Sequence, residues 1–309
     1  MNVTISEALL HAEKSIDRLD AQYLLADILQ LNRALLMAHA EKPLTDRDAS
    51  KFDIKVGLRA RGTPVAYLLG KREFYGREFA VNPDVLIPRS ETELLVEQAL
   101  ARLSEEKWLK SAALPRVLEL GTGSGAVAVS LALEQPRCGI VAIDIAPRAL
   151  VLAERNARSL FGETAAIYTI DNMTSTQNAH ANVSPDSTPH ASIDFLESDW
   201  YAALGKQHFD LIVANPPYVA HNDSHLGEGD LRYEPQSALT DGSDDGLASI
   251  RTIVAGAATH LNPGGWLLFE HGYDQAPAAR ELLANAGFKH LVCIKDLAGI
   301  ERVSGGQID

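Results

Sequence analysis

The chain of 309 residues is predicted to be an α/β protein, in which a parallel, doubly wound sheet follows a small helical domain. Three observations predict this fold. From Arg116 onward, short apolar runs alternate with longer amphipathic segments, as strands and helices do in parallel sheets. Before residue 70, apolar residues recur at helical spacing. A glycine-rich loop follows the first strand of the alternating region, where such sheets bind ligands.

The N-terminal part, residues 1–71, is predicted to be a helical domain. Apolar residues keep a helical period over residues 5–12 and again over residues 21–29. Thr45 follows a helix-breaking proline and can cap a third helix.

Residues 72–90 are predicted to form a β-hairpin that links two domains. The stretch Glu73–Val81 places aromatic residues on both sides of a Tyr-Gly turn. Ser90 is predicted to cap the next helix, with Glu93 at the capping-box position.

Residues 91–309 are predicted to form the sheet domain. Strands are expected at residues 117–120, 139–143, 209–214, 265–270 and near 291–294, with a final strand at the C-terminus. Helices are expected at residues 126–134, 147–160, 247–260 and 276–286. The segment 172–192 interrupts this order with Ser, Thr, Asn, His and Pro, and is predicted to be a flexible surface insertion.

Composition and charge limit the classes of function that the chain could have. The formal net charge is -13 and there is no run of Lys and Arg, so a DNA or RNA substrate is disfavoured. The N-terminus lacks an apolar signal region, and no stretch approaches the ~18 apolar residues of a membrane span. A cytoplasmic protein without membrane contact is expected. Cys138 and Cys293 lack the paired spacing of a zinc site, so both are expected to be core residues and no metal site is predicted.

The glycine loop, Glu119–Gly125, indicates a cofactor site. Glycines permit a tight turn and the close approach of a ligand to the backbone. Asp144 ends the next strand, 19 residues after Gly125, where an acid can accept hydrogen bonds from both ribose hydroxyls of an adenosine. Nicotinamide cofactors use a similar arrangement, but the G-x-G-x-G spacing favours S-adenosylmethionine, which has no pyrophosphate.

Asp199 and Trp200 are further candidates for cofactor binding. An acid and an aromatic residue before the next strand could bind the adenine amino group and cover the face of the ring. The alternative is a surface aspartate beside a packing tryptophan.

The sequence Asn215-Pro216-Pro217-Tyr218 is the most specific motif. Pro217 restricts Pro216 to an extended conformation, so the loop after the strand is stiff. The side-chain oxygen of Asn215 and the backbone carbonyl of Pro216 can then accept the two hydrogens of a planar NH2 group, with Tyr218 as an aromatic wall. Two acceptors would aim the nitrogen at a methyl donor and favour the charge that develops on it.

With these motifs the chain resembles the peptide-chain release factor glutamine methyltransferases, the HemK or PrmC family. Matching segments span nearly the whole chain: Asp20–Leu25, Gly62–Gly70, Glu73–Gly76, Leu86–Glu93, Glu119–Gly125, Ser198–Trp200, Asn215–Tyr218, Tyr233–Pro235 and Glu301–Val303.

The resemblance implies a seven-stranded, Rossmann-like class I catalytic domain and an N-terminal domain that helps to hold the release factor. It implies methylation of the glutamine side chain in the Gly-Gly-Gln motif of that factor, without direct nucleic-acid binding, by what we expect is a monomer. The cofactor is expected to contact Glu119, Gly121, Thr122, Gly123, Ser124, Gly125, Asp144, Asp199, Trp200 and Asn215. The substrate is expected to contact Asn215, Pro216, Pro217, Tyr218, Arg89 and Glu93, although a salt-bridged hinge is an equal alternative for Arg89 and Glu93.

Three other functions stay open from the sequence. The first is a glutamine methyltransferase for a ribosomal protein, which would share the catalytic loop. The second is a nucleic-acid adenine methyltransferase, which would have to flip its base and grip phosphates. The third is a cofactor-binding module without catalysis. Finally, Gly305-Gly306-Gln307 has the same sequence as the substrate motif. A final strand with a short tail would account for these residues, so we interpret the match as a coincidence.

Overall fold

The computed structural model describes residues 3–105, 113–162, 166–169 and 191–309. Residues 3–70 contain five helices packed around buried apolar side chains, as the sequence predicted. The helices are α1 Ile5–Ala12, α2 Arg18–Leu29, α3 Arg33–Ala38, α4 Asp46–Ala60 and α5 Val65–Leu69. In the described part of the chain, no helix has the length and apolar character needed to cross a membrane.

Side-chain caps begin four of these helices, α1 to α4. At α1, Thr4 and Glu7 accept hydrogen bonds from each other's backbone N–H groups, which is a complete capping box. At α4, the Thr45 hydroxyl accepts from the backbone N–H of Asp48 at 3.1 Å, as predicted.

The predicted hairpin is present, but it spans residues 71–80 rather than 72–90. Strand β1, Lys71–Phe74, pairs antiparallel with β2, Arg77–Ala80. Tyr75 and Gly76 form its two-residue turn with φ angles of 50° and 72°. Both angles lie in the left-handed region, which a tight hairpin turn of this kind requires.

The capping box predicted at Ser90 is wrong. Residues Ser90–Thr92 form a 3₁₀ turn without a side-chain cap, and α6 begins after it, at Glu93–Leu103. The Glu93 carboxylate accepts instead from the backbone N–H of Tyr75 at 2.9 Å. The Glu93 carboxylate, which a capping box would need as an acceptor, therefore binds the hairpin turn instead.

The remaining strands form one sheet in the order β5-β6-β4-β3-β7-β8-β10-β9. Pairing is parallel except that β10 runs antiparallel to both β8 and β9. The strands are β3 Arg116–Leu120, β4 Gly139–Asp144, β5 Ala166–Thr169, β6 Ser192–Glu197, β7 Phe209–Ala214, β8 Leu261–Glu270, β9 Lys289–Lys295 and β10 Glu301–Gln307. Seven of them make the mostly parallel sheet that was expected, and β5 adds an edge strand.

Helices cover both faces of the sheet, which is the doubly wound arrangement. Buried residues of α6, α7 and α8 form the core on one face. Buried residues of α10 and α11 form the core on the other. The helices after α6 are α7 Ala126–Glu134, α8 Pro147–Phe161, α9 Gln236–Leu239, α10 Ala248–His260 and α11 Ala276–Asn285.

Strands β5 and β6 were not among the predicted elements. The run of β6 contains Asp194, a carboxylate that the sheet buries, so its apolar pattern is broken. The predicted insertion at 172–192 ends too late, because Ser192 already begins β6. Residues 172–190 lie outside the described residues.

The last strand accounts for the Gly305-Gly306-Gln307 sequence. A Cβ atom at Gly305 would lie 2.3 Å from the carbonyl oxygen of Leu267 on β8, and Gly306 is also crowded. The Gln307 side chain donates to the carbonyl of Gly264 at 2.9 Å. Sheet packing therefore requires these glycines and occupies the glutamine amide.

Polar contacts join the N-terminal helices to the sheet domain. The Arg59 guanidinium donates to Asp20 at 2.6 Å and to Asp230 at 2.7 Å. Beside it, the backbone carbonyl of Arg61 accepts from the Arg232 side chain at 2.9 Å. The loop that carries Asp230 lies next to the second wall of the cavity described below, so these contacts connect the helices to the site.

Candidate active site

A cavity of about 360 Å³ opens at the carboxyl ends of β3, β4 and β7. One wall comes from the loops that leave these strands, and the other from residues 84–92 and 235–241. Of the predicted site residues, those that line it are Glu119, Gly121, Thr122, Gly123, Ser124, Asp144, Asp199, Trp200, Asn215 and Pro217. Those outside its lining are Gly125, Pro216, Tyr218, Arg89 and Glu93.

The glycine loop lines the cavity with backbone atoms that no side chain covers. Gly121 and Gly123 have φ angles of 75° and 55°, and a Cβ atom added at either would meet no protein atom within 4 Å. Gly125 differs, because its Cβ would lie 3.1 Å from that of Ala153 on α8. The first two glycines leave space for a ligand, and the third allows α7 and α8 to pack closely.

Glu119 holds this loop from inside the protein. Its Oε2 atom accepts from the Thr122 hydroxyl at 2.6 Å and from the backbone N–H of Ala128 at 3.1 Å. Burial raises the pKa of Glu119 from 4.5 to about 8. The predicted cofactor contact of Glu119 stays a prediction, while its contacts with the loop are direct.

Asp144 ends β4 at the edge of the cavity. One carboxylate oxygen accepts from the backbone N–H of Gly123 at 2.8 Å, and the other from that of Ala146 at 2.9 Å. Burial raises the pKa of the Asp144 carboxyl above its ordinary value, against these hydrogen bonds. Each oxygen keeps a lone pair that can accept from a ligand hydroxyl.

Ile145 lines the cavity but was not among the predicted site residues. It follows Asp144 and is 62% exposed. Exposure of a large aliphatic side chain beside a polar anchor suits an aromatic ligand face. Its position directly after the strand-end acid is the signal that could have identified it.

Asp199 and Trp200 lie on a short turn after β6. The Ser198 hydroxyl donates to the carbonyl of Trp200 at 2.7 Å and accepts from the backbone N–H of Ala203 at 3.0 Å. Trp200 has a φ of 46°, so this turn holds its backbone in a conformation that non-glycine residues rarely adopt. Both Asp199 and Trp200 line the cavity, Asp199 exposed and Trp200 half-buried.

Asn215 is held by a residue from the opposite wall. It directly follows β7, and its Nδ2 atom donates to the Thr92 hydroxyl at 3.0 Å. Because the donor half of the amide is bound to Thr92, the Oδ1 atom is the half left for a ligand. Thr92 was not predicted to belong to the site.

Tyr218 turns its hydroxyl away from the cavity and into the sheet domain. The hydroxyl donates to Oε1 of Glu270 at 3.0 Å. Burial is the main cause that raises the pKa of Tyr218. Its predicted role as an aromatic wall for the substrate stays a prediction, since its ring lies outside the cavity lining.

The loop is clamped again beyond Tyr218. The Gln275 side-chain amide donates to the Tyr218 carbonyl at 3.0 Å and to the Asp245 carbonyl at 3.0 Å. A Cβ at Gly246 would lie 2.1 Å from the same Tyr218 carbonyl oxygen. Both proline residues are thus held between fixed ends, which makes the direction of the Pro216 carbonyl well defined.

Arg89 and Glu93 form internal contacts. The Arg89 guanidinium donates to the Glu234 carboxylate, which is fully buried and also accepts from the backbone N–H of Ile87 at 2.9 Å. This ion pair joins the two segments of the second cavity wall. Glu93 holds the hairpin turn, as described above, and the substrate contacts predicted for both residues stay predictions.

The cavity fits S-adenosylmethionine. The open backbone at Gly121 and Gly123 can accommodate the amino-acid part, Asp144 can accept from the ribose, and Ile145 with Trp200 can enclose the adenine. Among the described residues, no group of three His, Cys, Asp or Glu side chains could hold a metal ion.

Two protein families match parts of the chain. Residues 4–70 match the family described as the PrmC N-terminal domain. Residues 139–242 match the family described as Eco57I restriction-modification methylase.

Relatives match over almost the full length. The release factor glutamine methyltransferase of Burkholderia pseudomallei (strain K96243) is 47% identical over 294 residues, which are 95% of this chain and 93% of that protein. The protein of the same name from Escherichia coli (strain K12) is 39% identical over 290 residues, 94% of this chain and 92% of that protein. The chain belongs to the release factor glutamine methyltransferase family.

The fold of this family member also matches solved structures. The structure of the hMettl16 catalytic domain in complex with MAT2A 3′UTR hairpin 6 covers 86% of this chain and 83% of its own, with a TM-score of 0.51 and 12% identity. At this identity the likeness shows a shared fold alone. Membership in the release factor glutamine methyltransferase family makes the chain a methyltransferase, so the non-catalytic binding module is set aside.

Proposed function

We propose that this chain transfers a methyl group from S-adenosylmethionine to the side-chain amide nitrogen of the glutamine in the Gly-Gly-Gln motif of a peptide chain release factor. The observation that carries the proposal is the hydrogen bond from Asn215 Nδ2 to Thr92, which leaves Oδ1 of Asn215 as an acceptor at the cavity. A planar NH2 group needs such an acceptor.

The chain's own residues hold both reactants. The glycine loop, Asp144 and Trp200 would bind S-adenosylmethionine, which supplies an electrophilic methyl group on a sulfonium ion. Asn215 Oδ1 and the Pro216 carbonyl would accept the two hydrogens of the substrate amide. The clamps on the loop keep both acceptors in place before the substrate binds, so little reorganisation is needed during the reaction.

Two hydrogen-bond acceptors would make the amide nitrogen a better nucleophile. The lone pair of an amide nitrogen is delocalised into its carbonyl, so the nitrogen attacks poorly. Acceptors on both hydrogens favour the positive charge that develops on nitrogen in the transition state, and they aim the nitrogen along the methyl–sulfur axis. The proton leaves after transfer, so no strong base is required for the attack.

The partner would be a protein bound by the helical N-terminal region. The contact of Arg59 with Asp230 joins those helices to the loop beside the cavity, so a bound factor could span both parts. The net charge of -13 disfavours a nucleic-acid partner. We also propose that the chain acts as a monomer in the cytoplasm, which size-exclusion chromatography with light scattering and cell fractionation would test.

A second candidate is adenine methylation of nucleic acid. The match of residues 139–242 to a restriction-modification methylase favours it, because adenine also presents a planar NH2 group. The acidic surroundings of the cavity, which include Asp84, Asp199 and Asp241, oppose phosphate binding.

The test is methyl transfer with a defined acceptor. The purified chain would be incubated with labelled S-adenosylmethionine and a bacterial release factor, in parallel with ribosomal proteins, plasmid DNA and transfer RNA. We expect one methyl group, which mass spectrometry assigns to the glutamine of the Gly-Gly-Gln motif, and none in a release factor with alanine there. Labelling that survives this change, or label found only on a ribosomal protein or nucleic acid, would overturn the proposal.

A further inference from the structure

Glu270 lies behind the loop Asn215–Tyr218 and outside the lining of the cavity. It is the last residue of β8, and the register of β7 and β8 pairs Ala214 with Phe269. Glu270 therefore ends its strand beside Asn215, which directly follows Ala214. Its side chain is buried in the protein, with 1% of the residue exposed.

The hydrogen bonds of this carboxyl are incomplete. Oε1 accepts from the Tyr218 hydroxyl at 3.0 Å. Oε2 is buried and, among the described residues, has no hydrogen-bond partner of normal geometry. A buried carboxyl oxygen in this state costs free energy unless a donor is within reach.

Thr92 and Glu270 both lie beside Asn215, Thr92 through its hydrogen bond and Glu270 through the register of β7 and β8. Burial raises the pKa of Glu270, and the Thr92 hydroxyl lowers it. The hydroxyl oxygen of Thr92 already accepts from Asn215, so its own proton is available for Glu270. Of the neighbouring charges, Arg302 also lowers the pKa of Glu270 and Glu91 raises it, and the Arg302 guanidinium itself contacts Asp296 at 3.2 Å.

The polarity of this chain of hydrogen bonds determines how the Asn215 amide faces the cavity. In the ionised form, which the Thr92 and Tyr218 hydroxyls and Arg302 favour against burial, the Glu270 carboxylate only accepts hydrogen bonds. A threonine hydroxyl has a single proton to donate. When that proton points to Glu270, the Thr92 oxygen can only accept, and it accepts from Nδ2 of Asn215. If the Asn215 amide were rotated by 180°, its NH2 group would face the NH2 group of the substrate. Two donors would then face each other, and no hydrogen bond could form.

We propose that Glu270 is a positioning residue, which through Thr92 fixes the side-chain amide of Asn215 with its oxygen towards the substrate. The inference rests on the proposed function only in taking an NH2 group as the methyl acceptor. Glu270 does not touch the substrate or the cofactor, so its effect must pass through Thr92 and Asn215.

Three variants test the direction of the hydrogen bonds that link Glu270, Thr92 and Asn215. Thr92→Val removes the hydroxyl, Thr92→Ser keeps it, and Glu270→Gln replaces an acceptor by a group that also donates. We expect kcat to fall by about 10- to 100-fold in Thr92→Val and Glu270→Gln, less than the roughly 10²- to 10³-fold for removal of a direct transition-state contact, because both residues act only through Asn215. Thr92→Ser should stay within about threefold of the parent, since the hydroxyl is retained.

The affinity for S-adenosylmethionine and the melting temperature separate positioning from a general structural effect. We expect the cofactor affinity to stay near the parent value in all three variants, and the melting temperature to fall no further than in the control variant Tyr201→Phe. Tyr201→Phe is the control, because it also removes a buried hydroxyl, one that donates to the Ile253 carbonyl at 2.8 Å outside the cavity lining. A Thr92→Val enzyme with parental kcat would overturn the inference, as would an equal loss in Thr92→Ser.

A measurement without turnover keeps the inference distinct from the proposed function. In protein labelled with [15N]asparagine, the side-chain amide signal of Asn215 can be assigned by its loss in Asn215→Asp. We expect slow solvent exchange of this amide in the parent and in Thr92→Ser, and faster exchange in Thr92→Val and Glu270→Gln. Unchanged exchange in Glu270→Gln would refute the role of Glu270 whether or not any release factor is methylated.

Discussion

Asn215 and Thr92 are joined by a hydrogen bond of 3.0 Å, although 123 residues separate them along the chain. Thr92 belongs to the turn before α6 and Asn215 to the loop after β7. The Asn215–Tyr218 motif is therefore held by a residue outside the motif, from the opposite wall of the cavity. This bond makes the amide of Asn215 a directed acceptor rather than a freely rotating group.

Removal of the Asn215 side chain should abolish most turnover. We expect Asn215→Ala to lower kcat by about 10²- to 10³-fold, the loss seen when one preorganised transition-state contact is removed. Affinity for S-adenosylmethionine should be partly kept, because the glycine loop and Asp144 remain. The measurement is single-turnover methyl transfer together with calorimetric titration of the cofactor.

Asn262→Ala is the matched control for that variant. Asn262 also donates through Nδ2, to Asp210 at 2.8 Å, but it lies at the start of β8, away from the cavity. Its turnover should stay near that of the parent. Equal losses in the two variants, or near-normal turnover in Asn215→Ala, would mean that the substrate amide is held elsewhere.

Asp144→Asn should weaken cofactor binding. The variant keeps the size of the side chain but loses the charge and one acceptor, and hydrogen bonds to charged groups contribute about 1.5–3 kcal/mol, or roughly 10- to 100-fold in Kd. Glu197→Gln is the control, since Glu197 pairs with Asp144 in the sheet register but is exposed and outside the cavity lining. Calorimetric titration would measure both, and parental affinity in Asp144→Asn would remove Asp144 from the cofactor site.

Glu119→Gln should change how stability depends on pH. The folded pKa of about 8 lies above the ordinary 4.5, so the folded protein binds more protons than the unfolded chain between these values. The contribution of Glu119 to stability is complete below pH 4.5 and is lost as the pH rises through 8. The amide oxygen of a glutamine can keep the bonds from Thr122 and Ala128, but it does not titrate.

Urea unfolding at several pH values would check this expectation. The free energy of unfolding of Glu119→Gln should rise relative to that of the parent between pH 5 and pH 8. Parallel curves over this range would show that the Glu119 carboxyl does not titrate differently in the folded and unfolded chains.

Gly125→Ala should destabilise the protein more than Gly70→Ala. Both glycines have left-handed φ angles, 80° and 73°, and an alanine there costs about 1–2 kcal/mol of backbone strain. At Gly125 the new methyl group also lies 3.1 Å from the Cβ of Ala153, whereas at Gly70 it meets no atom within 4 Å. We expect an additional loss of about 1 kcal/mol at Gly125 from crowding, measured by urea unfolding. Equal losses would show that α8 moves away without cost.

Much of the fold could be predicted from local pattern. The strand Val117–Leu120, the glycine loop and the helix after it form a continuous signal, because apolar period and turn residues are both local properties. Strand β6 was missed because a buried aspartate interrupts its apolar run. The capping box predicted at Ser90 is absent because the Glu93 carboxylate accepts instead from the backbone N–H of Tyr75, which lies on another element.

By itself, the sequence determined the α/β class, the glycine loop with Asp144, and the Asn215–Tyr218 motif, since each is encoded by neighbouring residues. Only the tertiary structure decided which side chains hold that motif. Thr92, Glu270 and Gln275 reach it from a turn, a strand end and a loop that are distant in sequence. Their roles depend on distance and on the direction of single protons, which no local pattern of residue types specifies.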